Sequence, residues 1–373
     1  MGREFVLAPS PLEVNSLPVS YVVPELPWDI DVVLDVATQH ALADASRAIG
    51  RLEGAYRTAV PMPHQLQCAL ATLEGWACVS ASSGQPRWVD ITRAFTDDRH
   101  RYGRGKTGAE LAARLIGFHS GLDKHMGRRG ASAGIVDNEL DDGEFVSPRF
   151  RDAYEYGINE WLTDGPGSGL LRSALSMMSM AASMPESSRV AMAARSIFPW
   201  MLIQTRAADA FVPISLGFIE RDAEWDEVAR ALAGSSGDEQ ATVNRGLTLV
   251  LRAVERATIL AAYEVEGLQY QARRLPQGEQ DWLRAARPSV REVFYLVSAL
   301  PCATRQHLQA LTGMTARTIN SAVRELESRD LVNVAGAVRA KFDYVVHSKP
   351  KRVPWMGAVH HYPGVSEASD GQR

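Results

Sequence analysis

The sequence predicts a mainly α-helical protein in two parts: a long multi-helix body and a smaller C-terminal domain that ends in a β-hairpin. Three observations support this fold class. Ala, Leu, Arg and Glu recur at helical spacing over most of the 373 residues, and runs of β-branched residues are few. Short stretches rich in Pro, Gly and Ser separate the periodic segments. Near the C-terminus, two helical segments joined by a glycine precede an alternating segment that is typical of a hairpin.

The N-terminal 28 residues contain five prolines, which predicts an extended arm. The helical body is then expected over residues 29–275. Its helices are predicted near residues 29–59, 64–79, 91, 107–119, 150–162, 170–182, 189–207, 218–233 and 240–273. Between them, the Gly- and Asp-rich stretch from Gly127 to Phe145 suits a flap or a hairpin.

The C-terminal boundary is marked by prolines. Residues 276–287 predict a linker, residues 288–353 a separate domain, and residues 354–373 a flexible tail that contains Pro, Gly and Ser.

Composition narrows the class of protein. Three widely spaced cysteines without a CxxC pair argue against a disulfide framework or a zinc site and fit a reducing cytosol. The first residues lack the basic start and apolar core of a signal peptide, and no uncharged apolar run approaches 18 residues. The expectation is a cytoplasmic protein without a membrane span.

Charge is distributed unevenly along the chain. The net charge is −4, but residues 288–355 carry ten Lys/Arg against five Asp/Glu, a local net charge of +5. The remaining residues carry 30 Lys/Arg against 39 Asp/Glu, a net charge of −9. This asymmetry places the expected nucleic-acid contact in the C-terminal domain.

The run TRQHLQALTGMTARTINSAVRELESRDLV (304–332) has the pattern of a helix-turn-helix. Thr304 and Thr315 are suited to cap its two helices, and Gly313 permits the tight turn between them. In the second helix, the apolar residues recur at the spacing of a buried stripe: Ile319, Val323 and Leu326. The following segment alternates around Gly336 like a hairpin, so the domain is expected to be a winged helix-turn-helix.

The outward face of the second helix carries the residue types that read DNA, because Arg pairs with guanine edges and Asn with adenine edges. The predicted DNA-binding residues there are Thr315, Arg317, Thr318, Asn320, Ser321 and Arg324. Further basic residues in and after the hairpin are predicted to contact phosphates: Arg339, Lys341, Lys349, Lys351 and Arg352. Two alternatives remain open: a winged helix that binds protein, or a helical hairpin that recognises no DNA sequence.

The body resembles the Fic family of AMP-transferring enzymes. Three segments carry this resemblance. ALADASRAIGRLEGA (41–55) is similar to the N-terminal helical part of that family, RRGASAGIVDNELDDGEFVSP (128–148) to its substrate-docking flap, and the helix ending NEWLTDG (159–165) to its next helix. The resemblance covers roughly residues 30–346, and many members also carry a C-terminal winged helix.

The family's catalytic motif is H-P-F-x-D-G-N-G-R, whose His acts as base on the target hydroxyl. Aligned on its proline, this chain has Met184 at the His position, Pro185 retained, and Ser188 at the acidic, metal-holding position. Arg195 belongs to the same degenerate motif. Residues 126–306 contain no histidine at all. The resemblance therefore implies a body with no catalytic residue, no metal and no cofactor.

Together these features predict a transcription regulator that binds double-stranded DNA as a homodimer. The inactive Fic-like body would serve for dimerisation or for sensing a small-molecule or protein effector. The alternatives are a diverged nucleotide-binding AMP-transferase and an antitoxin-like protein-interaction module.

Overall fold

A computed structural model of the protein describes residues 3–6, 20–23, 34–58, 63–83, 86–94, 108–120, 162–163, 167–183, 188–219, 221–233, 239–300, 302–336 and 343–347. Within these ranges the protein is mainly helical, as predicted. The predicted flap at 127–145, most of the predicted helix at 150–162 and the predicted tail lie outside the described residues.

Thirteen helices lie within the described ranges: α1 (Val36–Thr58), α2 (Pro63–Ser83), α3 (Trp88–Ala94), α4 (Gly108–Ser120), α5 (Gly169–Ser183), α6 (Ser188–Gln204), α7 (Ser215–Phe218), α8 (Asp222–Ala233), α9 (Glu239–Arg274), α10 (Gln277–Ala285), α11 (Pro288–Ala299), α12 (Arg305–Thr312) and α13 (Ala316–Glu327). The strands there are β1 (Arg3–Val6), β2 (Ser20–Val23), β3 (Ala303–Thr304), β4 (Val332–Gly336) and β5 (Asp343–His347). β1 pairs antiparallel with β2, and the other three form a sheet in the order β3-β5-β4.

The chain forms two compact units, and each is built from two separate segments. The first unit contains residues 1–53 and 121–258, and the second contains residues 54–120 and 259–373. This division differs from the linear one expected from the sequence, because it falls inside α1 and α9. The physical reason is that α2 and α4 pack with the C-terminal helices and α3 contacts β3. Such long-range contacts leave no periodic signal in the sequence.

In the first unit, the start of α1 is tied to α9. The Asp35 carboxylate accepts from the Thr38 backbone N–H at 2.7 Å and so caps α1. The Thr38 hydroxyl reaches α9, where it donates to the Asn244 carbonyl at 3.2 Å and lies 2.9 Å from the Thr248 hydroxyl. One helical turn further, Arg252 pairs with Asp44 at 2.7 Å. These contacts fix the register of the two helices.

The core of the first unit is aromatic. The side chains of Phe198, Trp200 and Phe211 are almost fully buried, and the rings of Phe218 and Trp225 lie 5.3 Å apart at a tilt of 57°. Tilted aromatic pairs at this spacing are favourable beyond the area that they bury. The Phe218–Trp225 pair joins α7 to α8, and α6 and α8 both contact α5.

In the second unit, α2 and α4 approach closely at a glycine. A Cβ on Gly75 would lie 2.6 Å from the Ile116 side chain and 2.9 Å from the Ala112 carbonyl oxygen. Only a residue without a side chain fits this crossing. The same α2 contacts α11, and its Cys68 thiol lies 4.0 Å from the Leu311 carbonyl in α12. The N-terminal helices of this unit therefore share one core with the C-terminal ones.

The segment predicted as a linker contains a helix, α10. Its Leu283 is buried, and its Trp282 ring lies 4.1 Å from the guanidinium carbon of Arg329. Arg329 also pairs with both carboxylate oxygens of Glu279 at 3.2 Å. The eleven residues between Pro276 and Pro288 read as a connection in the sequence, but these contacts dock α10 against the residues that follow α13. Similarly, β1 and β2 pair within the segment predicted as an extended arm.

Candidate nucleic-acid interface

The turn between α12 and α13 has the local geometry predicted from the sequence. The Thr304 hydroxyl accepts from the His307 backbone N–H at 3.0 Å and caps α12. Gly313 ends that helix with φ = +68°, a left-handed conformation that favours glycine. Thr315 then accepts from the Thr318 N–H at 3.3 Å and caps α13. The predicted caps and turn are therefore confirmed.

α13 has one buried face and one exposed face. The predicted apolar stripe is fully buried, together with Ala322, and it packs against α11. On the other side, Arg317, Ser321 and Arg324 are exposed, and Asn320 is half-buried. Four side chains predicted to face DNA thus lie on the side of α13 that is turned away from the buried stripe. We call this exposed side the outer face of α13.

Two other predicted DNA-binding residues have a structural task. The hydroxyls of Thr315 and Thr318 lie 3.0 Å apart at the start of α13. Thr315 also holds the first turn of the helix as its cap. The Thr315 hydroxyl satisfies one backbone N–H of this first turn, that of Thr318, and so stabilises the start of α13.

The strands after α13 form an antiparallel ladder in which Val332 lies opposite His347 and Gly336 opposite Asp343. The segment predicted as a hairpin thus contributes two antiparallel strands, β4 and β5. The basic residues predicted to contact phosphates lie outside the described residues: Arg339, Lys341, Lys349, Lys351 and Arg352.

Sequence reasoning missed a contact on the outer face of α13. Arg287, the residue before α11, forms an ion pair with Glu325 and donates to the Ser321 hydroxyl at 3.1 Å. The contact joins residues 38 positions apart, so no local spacing indicates it. Two further arginines lie close to Arg287 in the sequence.

They are Arg284 on α10 and Arg291 on α11, and both lie near Tyr295. Burial raises the pKa of Tyr295, and the positive charges of Arg291 and Arg284 oppose that rise.

The residues predicted from the Fic resemblance to form a degenerate motif fall between the end of α5 and the middle of α6. α5 ends at Ser183 and α6 begins at Ser188, and Met184 and Pro185 lie outside the described residues. Arg195 is buried in α6, and its guanidinium carbon lies 5.8 Å from the centre of the Phe218 ring. This position makes Arg195 part of the aromatic core of the first unit.

No protein-family model matches this chain, and no curated protein matches it. Among the described residues, no helix is both long and apolar enough to cross a membrane. In the same part of the chain, no three His, Cys, Asp or Glu side chains are grouped as metal ligands would be. A functional proposal for this protein therefore rests on its own residues.

Proposed function

We propose that residues 288–353 form a winged helix-turn-helix that binds double-stranded DNA, and that the protein is a cytoplasmic transcription regulator. One observation carries the proposal: a capped helix, α13, carries exposed Arg317, Ser321 and Arg324 opposite its buried stripe. Helices that read DNA enter the major groove and place such polar side chains against base edges. The local net charge of +5 agrees, because phosphate neutralisation supplies much of the affinity.

Each part of the domain has a distinct task in this proposal. Arg317 and Asn320, in the first half of α13, pair with guanine and adenine edges. The basic residues of the hairpin and of the segment after it contact phosphates, which position the domain without reading sequence. The caps of α12 and α13 stabilise the first turn of each helix, so the reading side chains at the start of α13 stand on an ordered backbone.

The body has a non-catalytic role in the proposal. It resembles the Fic scaffold but lacks the histidine on which that family's chemistry depends, so it serves as a dimerisation part or as a sensor of a small-molecule or protein effector. A homodimer places two reading helices on half-sites about 34 Å apart. Binding of the second half-site is then effectively intramolecular, which raises affinity without new contacts.

The central experiment measures sequence reading by the full-length chain. The wild-type protein selects a duplex from a random pool, and its affinity for that duplex is compared with its affinity for a scrambled duplex. We expect Arg317→Ala and Asn320→Ala each to weaken binding to the selected duplex by about 1–3 kcal/mol, roughly 5- to 150-fold. Binding to the scrambled duplex should change much less, because these side chains contact bases.

The same titration separates the other classes of function. Equal losses on both duplexes would show that Arg317 and Asn320 do not read bases. A wild-type chain that selects no duplex would overturn the DNA-binding proposal and favour an interaction module. The stoichiometry on the selected duplex tests the homodimer, for which two chains of 40.8 kDa per duplex are expected.

The proposal also predicts that the protein does not transfer AMP. A methionine thioether at position 184 accepts no proton, and general-base catalysis contributes typically 10²- to 10⁴-fold. Incubation with ATP labelled in its α-phosphate should leave no label on the chain or on added proteins. Strong labelling that Ser188→Ala abolishes would contradict the pseudoenzyme proposal and favour the diverged transferase.

A further inference from the structure

α10 and the turn after it contact one side of α13 and of the residues that follow it. Arg287, in that turn, donates to the Ser321 hydroxyl and forms an ion pair with Glu325. Two positions after the last residue of α13, Arg329 lies against α10 itself. Positions 321, 325 and 329 are four residues apart, so they follow one another along the same side of the helix and its end. The segment predicted as a linker therefore runs beside the helix that is proposed to read DNA.

The contact at Arg329 combines an ion pair with a cation–π interaction. Nη1 of Arg329 donates to both carboxylate oxygens of Glu279 at 3.2 Å, and its guanidinium carbon lies 4.1 Å from the centre of the Trp282 ring. Glu279 and Trp282 are three positions apart and so share one face of α10. We call these three side chains the Arg329 cluster. Because tryptophan is the most favourable ring for such a cation, the cluster restrains Arg329 more firmly than an exposed ion pair alone would.

The backbone is also constrained where the Arg329 cluster meets the end of α13. Asp330, the next residue, has φ = +54°, a left-handed conformation that is unfavourable for residues with a side chain. Such a conformation persists only where the surrounding structure holds it. Here the Arg329 N–H donates to the Leu326 carbonyl, and the Asp330 N–H donates to the Glu327 carbonyl. The Arg329 cluster therefore acts on a turn of defined geometry, through which α13 is joined to β4.

The apolar core leaves the angle of α13 less determined than its orientation. The buried stripe of α13 sets which side of the helix faces α11, but hydrophobic contact has no preferred direction. Hydrogen bonds do have one, and the contacts of Arg287 and Arg329 lie along the side of the helix. The angle matters for reading, because a side chain that pairs with a base edge has to lie within about 0.5 Å of its productive position. A restraint at the side and end of α13 is therefore suited to set this angle.

We propose that Glu279 and Trp282 are positioning residues for DNA reading: they hold Arg329 and so set the angle at which α13 enters the major groove. They touch no DNA in this arrangement. Arg329 is withdrawn from DNA by the same contacts, although it is a basic residue of a domain with a net charge of +5. The inference rests on the DNA binding proposed above, and it gives α10, which the sequence predicts to be part of a linker, a task at that site.

The test compares full-length variants on the selected and scrambled duplexes, at a temperature at which thermal unfolding shows each variant to be fully folded. Trp282→Leu and Arg329→Ala are each expected to reduce the preference for the selected duplex roughly tenfold, within the range of about 5- to 150-fold that a misplaced bidentate base contact can cost. Affinity for the scrambled duplex and its dependence on salt should keep the wild-type values, because no phosphate contact is lost. The double variant should lose no more preference than either single variant, because the two side chains act as one cluster.

Two further variants separate positioning from a general effect of losing an arginine. Arg329→Lys keeps a cation beside Glu279 and over the Trp282 ring, so it should retain more of the preference than Arg329→Ala. Arg245→Ala removes an arginine from an exposed pair with Glu227 in the first unit, and it should leave both the preference and the salt dependence unchanged.

Each outcome decides the inference. A reduced preference with wild-type salt dependence in Trp282→Leu and Arg329→Ala supports it. A wild-type preference in these folded variants overturns it, because the Arg329 cluster then only stabilises the fold, and the proposed function stands. A salt slope reduced by about 0.9 on both duplexes in Arg329→Ala also overturns it, because the arginine then contacts a phosphate. A wild-type chain that selects no duplex overturns the inference and the DNA-binding proposal together.

Discussion

Acidification from about pH 7 to pH 5 is expected to destabilise the second unit, residues 54–120 and 259–373, while the first unit stays folded. His119 and His307 are both buried in the second unit, and burial lowers the pKa of each from 6.5 to about 3. Protonating either imidazole requires the unit to open. His307 also lies in the first turn of α12, where the helix dipole opposes a positive charge. His119 lies in the last turn of α4, where the dipole favours one, so burial is the stronger effect there.

The sign and size of the effect follow from linkage. Because the folded pKa lies below the unfolded one, the stabilising contribution is complete above pH 6.5 and is lost as the pH falls toward 3. At about pH 5, each histidine should reduce the free energy of unfolding by about 2 kcal/mol. Together the two histidines would remove about 4 kcal/mol, which is large compared with the 5–15 kcal/mol by which a typical domain is stable. In the first unit, Asp35 and Asp44 have lowered pKa values, so their pairing is lost only at more acidic pH.

Hydrogen–deuterium exchange, corrected for the intrinsic effect of pH, resolves the two units peptide by peptide. Peptides from α4 and α12 should lose protection between about pH 6.5 and 4.5, before those from α5 and α6. The free energy of unfolding, measured in urea, should depend less on pH in His307→Gln than in the wild type. Equal pH dependence in His307→Gln and the wild type would show that this histidine is not the responsible group.

Gly217→Ala is expected to lower the free energy of unfolding of the first unit by at least about 1–3 kcal/mol. Gly217 lies in α7, where the chain passes over α9 at Ala253. A Cβ at this position would lie 2.1 Å from the Ala253 carbonyl oxygen and 2.7 Å from its Cα and carbonyl carbon. These are backbone atoms of a long helix, so no side-chain rotation relieves the clash. One of the two helices must move, and the buried neighbours Leu216 and Phe218 must repack.

A glycine in an open position is the control. Gly50 lies inside α1, and a Cβ there would meet no atom within 4 Å. Gly50→Ala should therefore stabilise the protein by about 0.5–1 kcal/mol, because alanine loses less backbone freedom on helix formation. Urea unfolding monitored by tryptophan fluorescence compares both variants with the wild type. A neutral Gly217→Ala would mean that α7 and α9 do not approach as closely in solution.

The local part of the candidate interface could be predicted from sequence. Caps, turns and buried stripes depend on residues three or four positions apart, so Thr304, Gly313 and Thr315 could be assigned before the fold was known. The mainly helical class follows in the same way, from the spacing of apolar residues along each segment.

The remaining features depend on contacts between distant segments. Arg287 looks like a linker residue until α13 is placed beside it, since its partner Glu325 is 38 residues away. α10 looks like a connection because its stabilising partner, Arg329, lies beyond α13. The pairing of α2 and α4 with the C-terminal helices is equally invisible, because an amphipathic helix does not specify which surface covers its apolar side.

The order of synthesis has a consequence for a unit made of two distant segments. When residue 120 has been made, α2 and α4 can already meet at Gly75, but their partners α11 and α12 begin at residues 288 and 305. At about 5–20 residues per second, the ribosome needs roughly 8 to 37 s to reach them. During that interval, the apolar surface around Cys68 and Thr92 has no cover from α12 and β3. The nascent chain is therefore expected to depend on a chaperone at this stage. Premature termination within residues 121–300 should yield a product that aggregates rather than a stable smaller protein.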